Sequence, residues 1–167
     1  ICYGRGGTEP TVTDADLTLG YLDAEHFLGG TMQLDSEAAL RGIKHSIAEP
    51  LGVDVTRAAW GIHELINETM AAAAKTHIAE QGGDPTSVVL AAFGGAGPVH
   101  ACGLAERIGV KKVIIPPNAG VGSALGFFTA PRAFDTARSH KAFLTEADLH
   151  EVERVENRLV GFTLKEK

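Results

Sequence analysis

The chain has 167 residues, 44% hydrophobic and 22% charged, with a net charge of −6, which is ordinary globular composition and enough for one domain with a sizeable core. Acids and bases are mixed and no Lys/Arg cluster stands out, which argues against a nucleic-acid partner; no apolar run reaches the ~18 residues of a membrane span, and no basic-then-apolar leader opens the chain. Cys2 and Cys102 lie far apart without a CxxC pair, against a disulfide scaffold or a zinc knuckle, so a reducing cytoplasm is the default expectation.

Residues 1–14 form a loop-like, glycine-rich entry, with room for a short strand at Thr11 to Thr13. Ala15, Leu19 and Leu22 have helical spacing over one or two turns, and Phe27-Leu28-Gly29-Gly30 is a turn. Asp35 or Ser36 caps a helix running to about Ala48, with Ala39, Leu40, Ile43 and Ile47 as its apolar stripe and Pro50 as its stop. Asp54 or Thr56 caps the longest helix, which ends near Gln81 before Gly82-Gly83-Asp84-Pro85. Val88 to Phe93 reads as a buried strand, Val99 to Arg107 as a helix, and Lys112 to Ile115 as a second strand. That β-α-β order predicts parallel pairing and an α/β fold, with a mixed or parallel sheet flanked by helices. Pro116-Pro117-Asn118 is a rigid loop and Ala119 to Thr129 a small-residue helix, closed by Ala130-Pro131. An edge strand over His140 to Leu144 and an amphipathic helix over Ala147 to Lys167 complete the pattern. The chain starts at Ile1 without an initiator methionine and stops inside a helical pattern, so it reads as a piece of a longer polypeptide.

The strongest local signal is Gly94-Gly95-Ala96-Gly97-Pro98, where an apolar strand meets a helix. Glycines remove the Cβ atoms that would keep a ligand off the main chain, and the helix start offers free N–H groups at the positive end of its dipole. Pro98 fits the first turn, where a missing N–H costs nothing. A bare β-α turn needs fewer glycines, which favours contact with a nucleotide. Gly120-Val121-Gly122-Ser123-Ala124-Leu125-Gly126 falls one place short of the dinucleotide pattern G-x-G-x-x-G and lacks a strand directly before it; close helix packing explains its glycines at least as well, while Ser123 could donate a hydrogen bond into a nearby site. Gly4-Arg5-Gly6-Gly7-Thr8 lacks the Gly-Lys-Ser/Thr ending of a phosphate loop. Arg5 is either an anion clamp or a solvated loop residue.

His63-Glu64-Leu65-Ile66-Asn67 is one residue away from the zinc motif H-E-x-x-H, with an amide where a ligand is needed, and is read as a polar face of the long helix. The seven histidines show no pair at ligand spacing, so no metal site is expected from the sequence. His100, in the first turn after the glycine cluster, is either a site residue or a capped surface histidine. Asp14 is either a base or metal-binding carboxylate at a strand end, or a helix cap. Cys102 is read as a small core residue.

Taken together, several segments resemble the hydantoinase/oxoprolinase family, which includes N-methylhydantoinase A, 5-oxoprolinase and acetone and acetophenone carboxylase subunits. The residues that carry the resemblance are Cys2-Tyr3-Gly4-Arg5-Gly6-Gly7, Pro10-Thr11-Val12-Thr13-Asp14-Ala15, Leu19-Gly20, Phe27-Leu28-Gly29-Gly30, Ala91 through Ala101, Ile114-Ile115-Pro116-Pro117, Ala119 through Gly126, Ala130-Pro131, Asp135 and Arg138-Ser139. The resemblance implies one lobe of an ATPase of the actin, heat-shock-chaperone and sugar-kinase superfamily over residues 1–139, with 140–167 opening a more variable region. It places Gly94, Gly95, Ala96 and Gly97, with Ser123 nearby, on the adenosine side of bound ATP and Mg²⁺. Arg5, Asp14 and His100 become the candidates for catalysis. The superfamily's Asp-x-Gly-Gly-Thr phosphate loop is absent here.

The activity implied is ATP-driven phosphorylation and opening of a cyclic amide of the hydantoin or 5-oxoproline type, or, alternatively, carboxylation of a ketone. The implied partners are the amino-terminal lobe of the same polypeptide, a second subunit of the hydantoinase B type, and a small cyclic amide or ketone. Alone, such a lobe is expected to fold and to turn over no substrate. A reading from another class, a non-catalytic nucleotide-binding or docking module, rests on the long alanine-rich helix and the charged carboxy-terminal one.

Overall fold

In the computed structural model, residues 1–131, 139, 153 and 154 are described. The chain divides into two units, Ile1–Leu125 and Gly126–Lys167. The strand over His140 to Leu144 and most of the helix over Ala147 to Lys167 lie outside the described residues; Glu153 and Arg154 are helical.

The first helix, α1 (Val12–Thr18), starts where the sequence suggested a strand. Thr11 is its extended N-cap, and Asp14 in its first turn reaches back to the Thr11 N–H at 2.7 Å and accepts the Thr11 hydroxyl at 2.9 Å. A carboxylate at the third helical position satisfies N–H groups that the helix leaves open, so it overrides the β preference of Thr11 to Thr13. A 3₁₀ turn at Phe27–Gly30 follows, and Asp35 then caps α2 (Ser36–Ile43) by accepting from Ala38 N at 2.8 Å.

Pro50 does not stop this helix. The chain passes through a π turn, Lys44–Ala48, into α3 (Glu49–Leu51), and the break comes at Gly52 in the left-handed region. Proline lacks an N–H and clashes with the carbonyl four residues back; a wider turn just upstream accommodates both problems. Asp54 then caps α4 (Val55–Glu80), accepting from Arg57 N at 2.8 Å, as the sequence predicts. Its 26 residues span about 39 Å.

The predicted strands are shorter than their apolar runs. Leu90–Ala91 (β1) and Val113–Ile114 (β2) pair in parallel, Leu90 opposite Val113 and Ala91 opposite Ile114, joined by α5 (Gly97–Ile108). The parallel β-α-β order of an α/β fold therefore stands. The predicted helix over Ala119 to Thr129 is split into a 3₁₀ turn, Ala119–Val121, and α6 (Gly122–Thr129).

Ile1–Leu125 packs in three apolar groups. Ala15, Ile43, Ala48, Ala58 and Ala59 join α1, α2 and α4. Cys2, Leu17, Leu34 and Ala39 close the amino-terminal side. Ala71, Ala105, Ile108 and Val110 join α4 to α5 and the strands. The abundance of alanine lets helix axes approach closely, and at the α4–α5 contact a glycine serves the same end. A Cβ on Gly103 would lie 2.7 Å from Asn67 Nδ2 and 3.2 Å from Arg107 Nη1. Arg107 seals the same contact from the outside, holding Glu64 at 2.6 Å and Glu68 at 2.8 Å on α4 and its own Gly103 carbonyl at 2.9 Å.

Gly103→Ala should therefore push Asn67 off its position. Overpacking of this kind costs about 1–3 kcal/mol, measured as a fall of roughly 2–12 °C in melting temperature. An unchanged melting curve would show that α4 and α5 have slack at this crossing.

Candidate functional site

The glycine cluster sits at the carboxyl end of β1, where open parallel sheets bind their ligands. Gly94 takes a positive φ of 85°, and its N–H donates to the Ala119 carbonyl at 2.7 Å. This bond ties the loop after β1 to the loop after β2. Gly122 supports the contact from below: a Cβ there would come within 3.2 Å of Phe93 Cβ. Glycine at 122 is thus explained by packing. Gly95 is not. A Cβ at Gly95 would meet nothing within 4 Å, and its φ is not positive. Gly95 and Ala96 instead line a cavity of about 430 Å³, together with Tyr3, Thr13, Asp16 and Tyr21. That volume falls in the usual range for small-molecule sites, roughly 300–1,000 Å³. No side chain caps the first turn of α5; Pro98 has no N–H and the Val99 N–H donates to the Ala96 carbonyl at 3.1 Å, so what the turn presents to a ligand is the main chain of Gly95 to Gly97 rather than a row of N–H groups.

Asp16 connects this cavity to a buried polar cluster. Its carboxylate accepts from His63 Nδ1 at 2.8 Å and lies 3.4 Å from His100 Nε2. His100 Nδ1 in turn meets Asn67 Oδ1 at 3.0 Å. Asp16, His63, Asn67 and His100 are all at most 5% exposed. The His63 ring is stacked on His100 at 4.7 Å, on Tyr21 at 4.9 Å and on Trp60 at 5.6 Å between centroids. Burial holds the His100 imidazole below its ordinary pKa; the Asp16 carboxylate pulls the other way and His63 adds to the depression.

The readings of His63 with Asn67 and of Cys102 are corrected, and of the two alternatives for His100 the surface one falls. His63 and Asn67 do not lie on a polar face of the long helix. With Ala59 and Ala71 they form its buried stripe, four residues apart. His100 is not a surface histidine. The absence of histidine pairs at ligand spacing concealed a three-residue donor set, because its members come from α1, α4 and α5. Cys102, read as a core residue, is exposed, and Cys2 is the buried cysteine. The Cys2 thiol is pushed up to about 11, first by burial and then by the neighbouring Asp14 carboxylate.

The other candidates are dispersed. Arg5 is on the exposed entry loop and is not among the residues lining the cavity beside Asp16. Ser123 is exposed in the first turn of α6. Asp14 is fully buried, and its oxygens take the Cys2 N–H at 2.7 Å besides the two Thr11 donors. Asp16, Tyr21, His63 and Asn67 are the site residues that sequence reasoning missed. The one available signal was the run Ala59, His63, Asn67, Ala71, in which small apolar residues bracket two polar ones on a single helical stripe.

Burial alone would raise the pKa of Asp14, but donation from Thr11 and Cys2 outweighs it and brings it down to about 2 from 3.8. A depressed carboxylate stabilises the fold above its unfolded pKa, and that contribution is lost as the pH falls from the ordinary value toward the folded one. Stability of the chain should decline between about pH 5 and pH 2. Asp14→Asn should cost about 1–3 kcal/mol at pH 7 and flatten that part of the profile. Denaturant titrations at several pH values measure both, and an equally steep decline in the variant would assign the acid sensitivity elsewhere.

The hydantoinase/oxoprolinase family profile matches residues 1–135. An uncharacterized protein of Methanocaldococcus jannaschii, MJ0964, is 41% identical over 166 residues, covering 99% of this chain and 24% of that protein. A nucleotide-free structure of acetone carboxylase, described with the mechanism of ATP-dependent acetone carboxylation, superposes with a TM-score of 0.75 and 32% identity over 99% of this chain and 25% of that one. The crystal structure of ATP-dependent caprolactamase from Pseudomonas jessenii gives a TM-score of 0.71 and 37% identity over 98% and 24%. The chain spans about a quarter of the length of each of these proteins. The match to the family profile, together with these identities, makes this chain a member of the hydantoinase/oxoprolinase family.

Proposed function

We propose that this chain is the adenosine-side lobe of an ATP-dependent enzyme that phosphorylates and opens a cyclic amide. The single observation that carries the reading is the bare turn at Gly95. It is left open by the fold and lines a cavity whose wall includes Asp16 and Tyr21. An intramolecular reason for glycine exists at Gly122 and Gly103 but not at Gly95. The main chain of Gly94, Gly95, Ala96 and Gly97 would hold the nucleotide, at the positive end of the α5 dipole. When bound, ATP supplies the phosphoryl group that converts an amide oxygen into a leaving group. The chain's own residues bind and orient: the turn receives the nucleotide, Tyr3 and Tyr21 wall the cavity, and Asp16 orders the two imidazoles behind it. Mg²⁺ prefers oxygen ligands in octahedral array. The metal-capable group found among the described residues is Asp16 with two histidines, a donor set that does not suit it, so Mg²⁺ would be held by the phosphates and by residues outside this group.

The apolar surface of the chain supports its place in a larger subunit. Leu90 and Val113 face the core, whereas Ala91 and Ile114 on the opposite face of the strand pair are exposed, as are Val89, Phe93 and Ile115 nearby. Parallel sheets are normally covered on both faces, and the amino-terminal lobe of the subunit is the proposed cover, with a hydantoinase B-type protein as the further partner. A second reading, a subunit of a ketone carboxylase, is favoured by the superposition on acetone carboxylase.

ATP or ADP titrated calorimetrically into the chain, co-produced with the amino-terminal remainder of its subunit, should show binding that Gly95→Val weakens at least about tenfold, roughly 1.4 kcal/mol. Because the fold leaves space at Gly95, the melting temperature should not move. Equal affinity in both proteins would remove the nucleotide from this turn. With the second subunit added, ATP hydrolysis stimulated by a lactam supports the amide reading, and stimulation by a ketone with bicarbonate replaces it by the carboxylase.

A further inference from the structure

Three helices converge on one buried point. Asp16 comes from α1, His63 from α4 and His100 from α5, and one ligand atom from each lies within 4.8 Å of the others. The geometry points to a binding site for a single divalent transition-metal ion of the zinc class, held by Asp16, His63 and His100 and open toward the cavity of the Gly95 turn. This site goes beyond the nucleotide reading and does not depend on it.

The donor set selects the ion. Two imidazoles and one carboxylate suit Zn²⁺, Co²⁺ or Fe²⁺ and suit Mg²⁺ or Ca²⁺ poorly. Around such an ion, ligands at about 2.0–2.2 Å stand roughly 3–3.5 Å apart. The 3.4 Å between His100 Nε2 and Asp16 Oδ2 already has that spacing, and the 2.8 Å between His63 Nδ1 and Asp16 Oδ1 is a little short of it. The two distances run to different oxygens of Asp16, and the ligand atoms as a set lie within 4.8 Å, so loading draws them together and turns the stacked His63 and His100 rings, 22° from parallel, until their lone pairs converge.

The outer partners are also in place. Asn67 Oδ1 faces His100 Nδ1, so the proton belongs on Nδ1 and the Nε2 lone pair points at the carboxylate of Asp16. A cation between them turns two opposed lone pairs into two ligand bonds. An outer carbonyl on the far ring nitrogen is the arrangement that fixes tautomer and orientation in metal-ligating histidines. Tyr21, Trp60 and the His100 ring hold the plane of His63 by stacking. Binding exchanges the proton on His63 Nδ1 for the metal, and neutral His63 then carries its proton on Nε2. Asp16 lines the cavity, so three protein ligands leave a coordination position for water or for a carbonyl or phosphate oxygen, as in catalytic rather than structural sites.

The test uses the full chain stripped with a chelator and titrated with Co²⁺ and Zn²⁺. One equivalent of Co²⁺ should bind with the visible absorption of a nitrogen- and oxygen-ligated ion, and Zn²⁺ should raise the melting temperature. His63→Gln and Asp16→Asn should each weaken Co²⁺ binding at least tenfold, whereas His45→Gln, at an exposed histidine on the π turn, should not. X-ray absorption of the Co²⁺-loaded wild-type chain needs no variant and should show two imidazoles. No binding above that of a chelator-treated control protein, binding unchanged by His63→Gln, or a spectrum with fewer than two imidazoles would each overturn the site and leave a cluster held by protons alone.

Discussion

The close crossing of α4 and α5 is the constraint on which the site depends. Gly103 lets α5 approach until Asn67 reaches His100, and Asn67 orients the imidazole that faces Asp16. The same helix α5 begins at the glycine turn, so one packing contact sets both the buried polar cluster and the mouth of the cavity. Arg107 clamps the crossing on its solvent side through two carboxylates of α4. Each of these pairs is an ordinary interaction. Their common dependence on a single missing Cβ is what couples them.

The two acids of α1 divide the work of structure and chemistry. Asp14 is consumed by the main chain of Cys2 and Thr11 and fixes how the entry loop meets the helix. Asp16, two residues on, projects into a different environment, against imidazoles and a cavity wall. Side chains two apart on a helix point in different directions, so neither residue can substitute for the other.

Local chemistry made the helix caps legible: Asp35 and Asp54 stand where hydrogen-bond accounting puts them. It also gave the β-α-β order, the glycine turn and, through the motifs spread over residues 1–139, the family. Three features depended on information that a linear reading lacks. Thr11 to Thr13 has strand composition, but Asp14 supplies a cap that only helix geometry can use. Pro50 is a helix breaker unless the turn before it widens. The runs around β1 and β2 are longer than the strands because only two residues of each find hydrogen-bonding partners in the other. The polar cluster was hardest to foresee, since residues 16, 63 and 100 are adjacent only after three helices have packed. A histidine and an asparagine four apart on a helix read as solvent-facing until the neighbouring helix is known.

The position of Trp60 has an optical consequence. It is the only tryptophan in the sequence, and its ring lies nearly parallel to the His63 imidazole, 5.6 Å away. Indole emission responds to the charge and electron demand of a neighbouring aromatic ring. The chain therefore carries a built-in fluorophore beside two buried histidines, and any event that alters the electronic state of His63 is placed to change the light it emits.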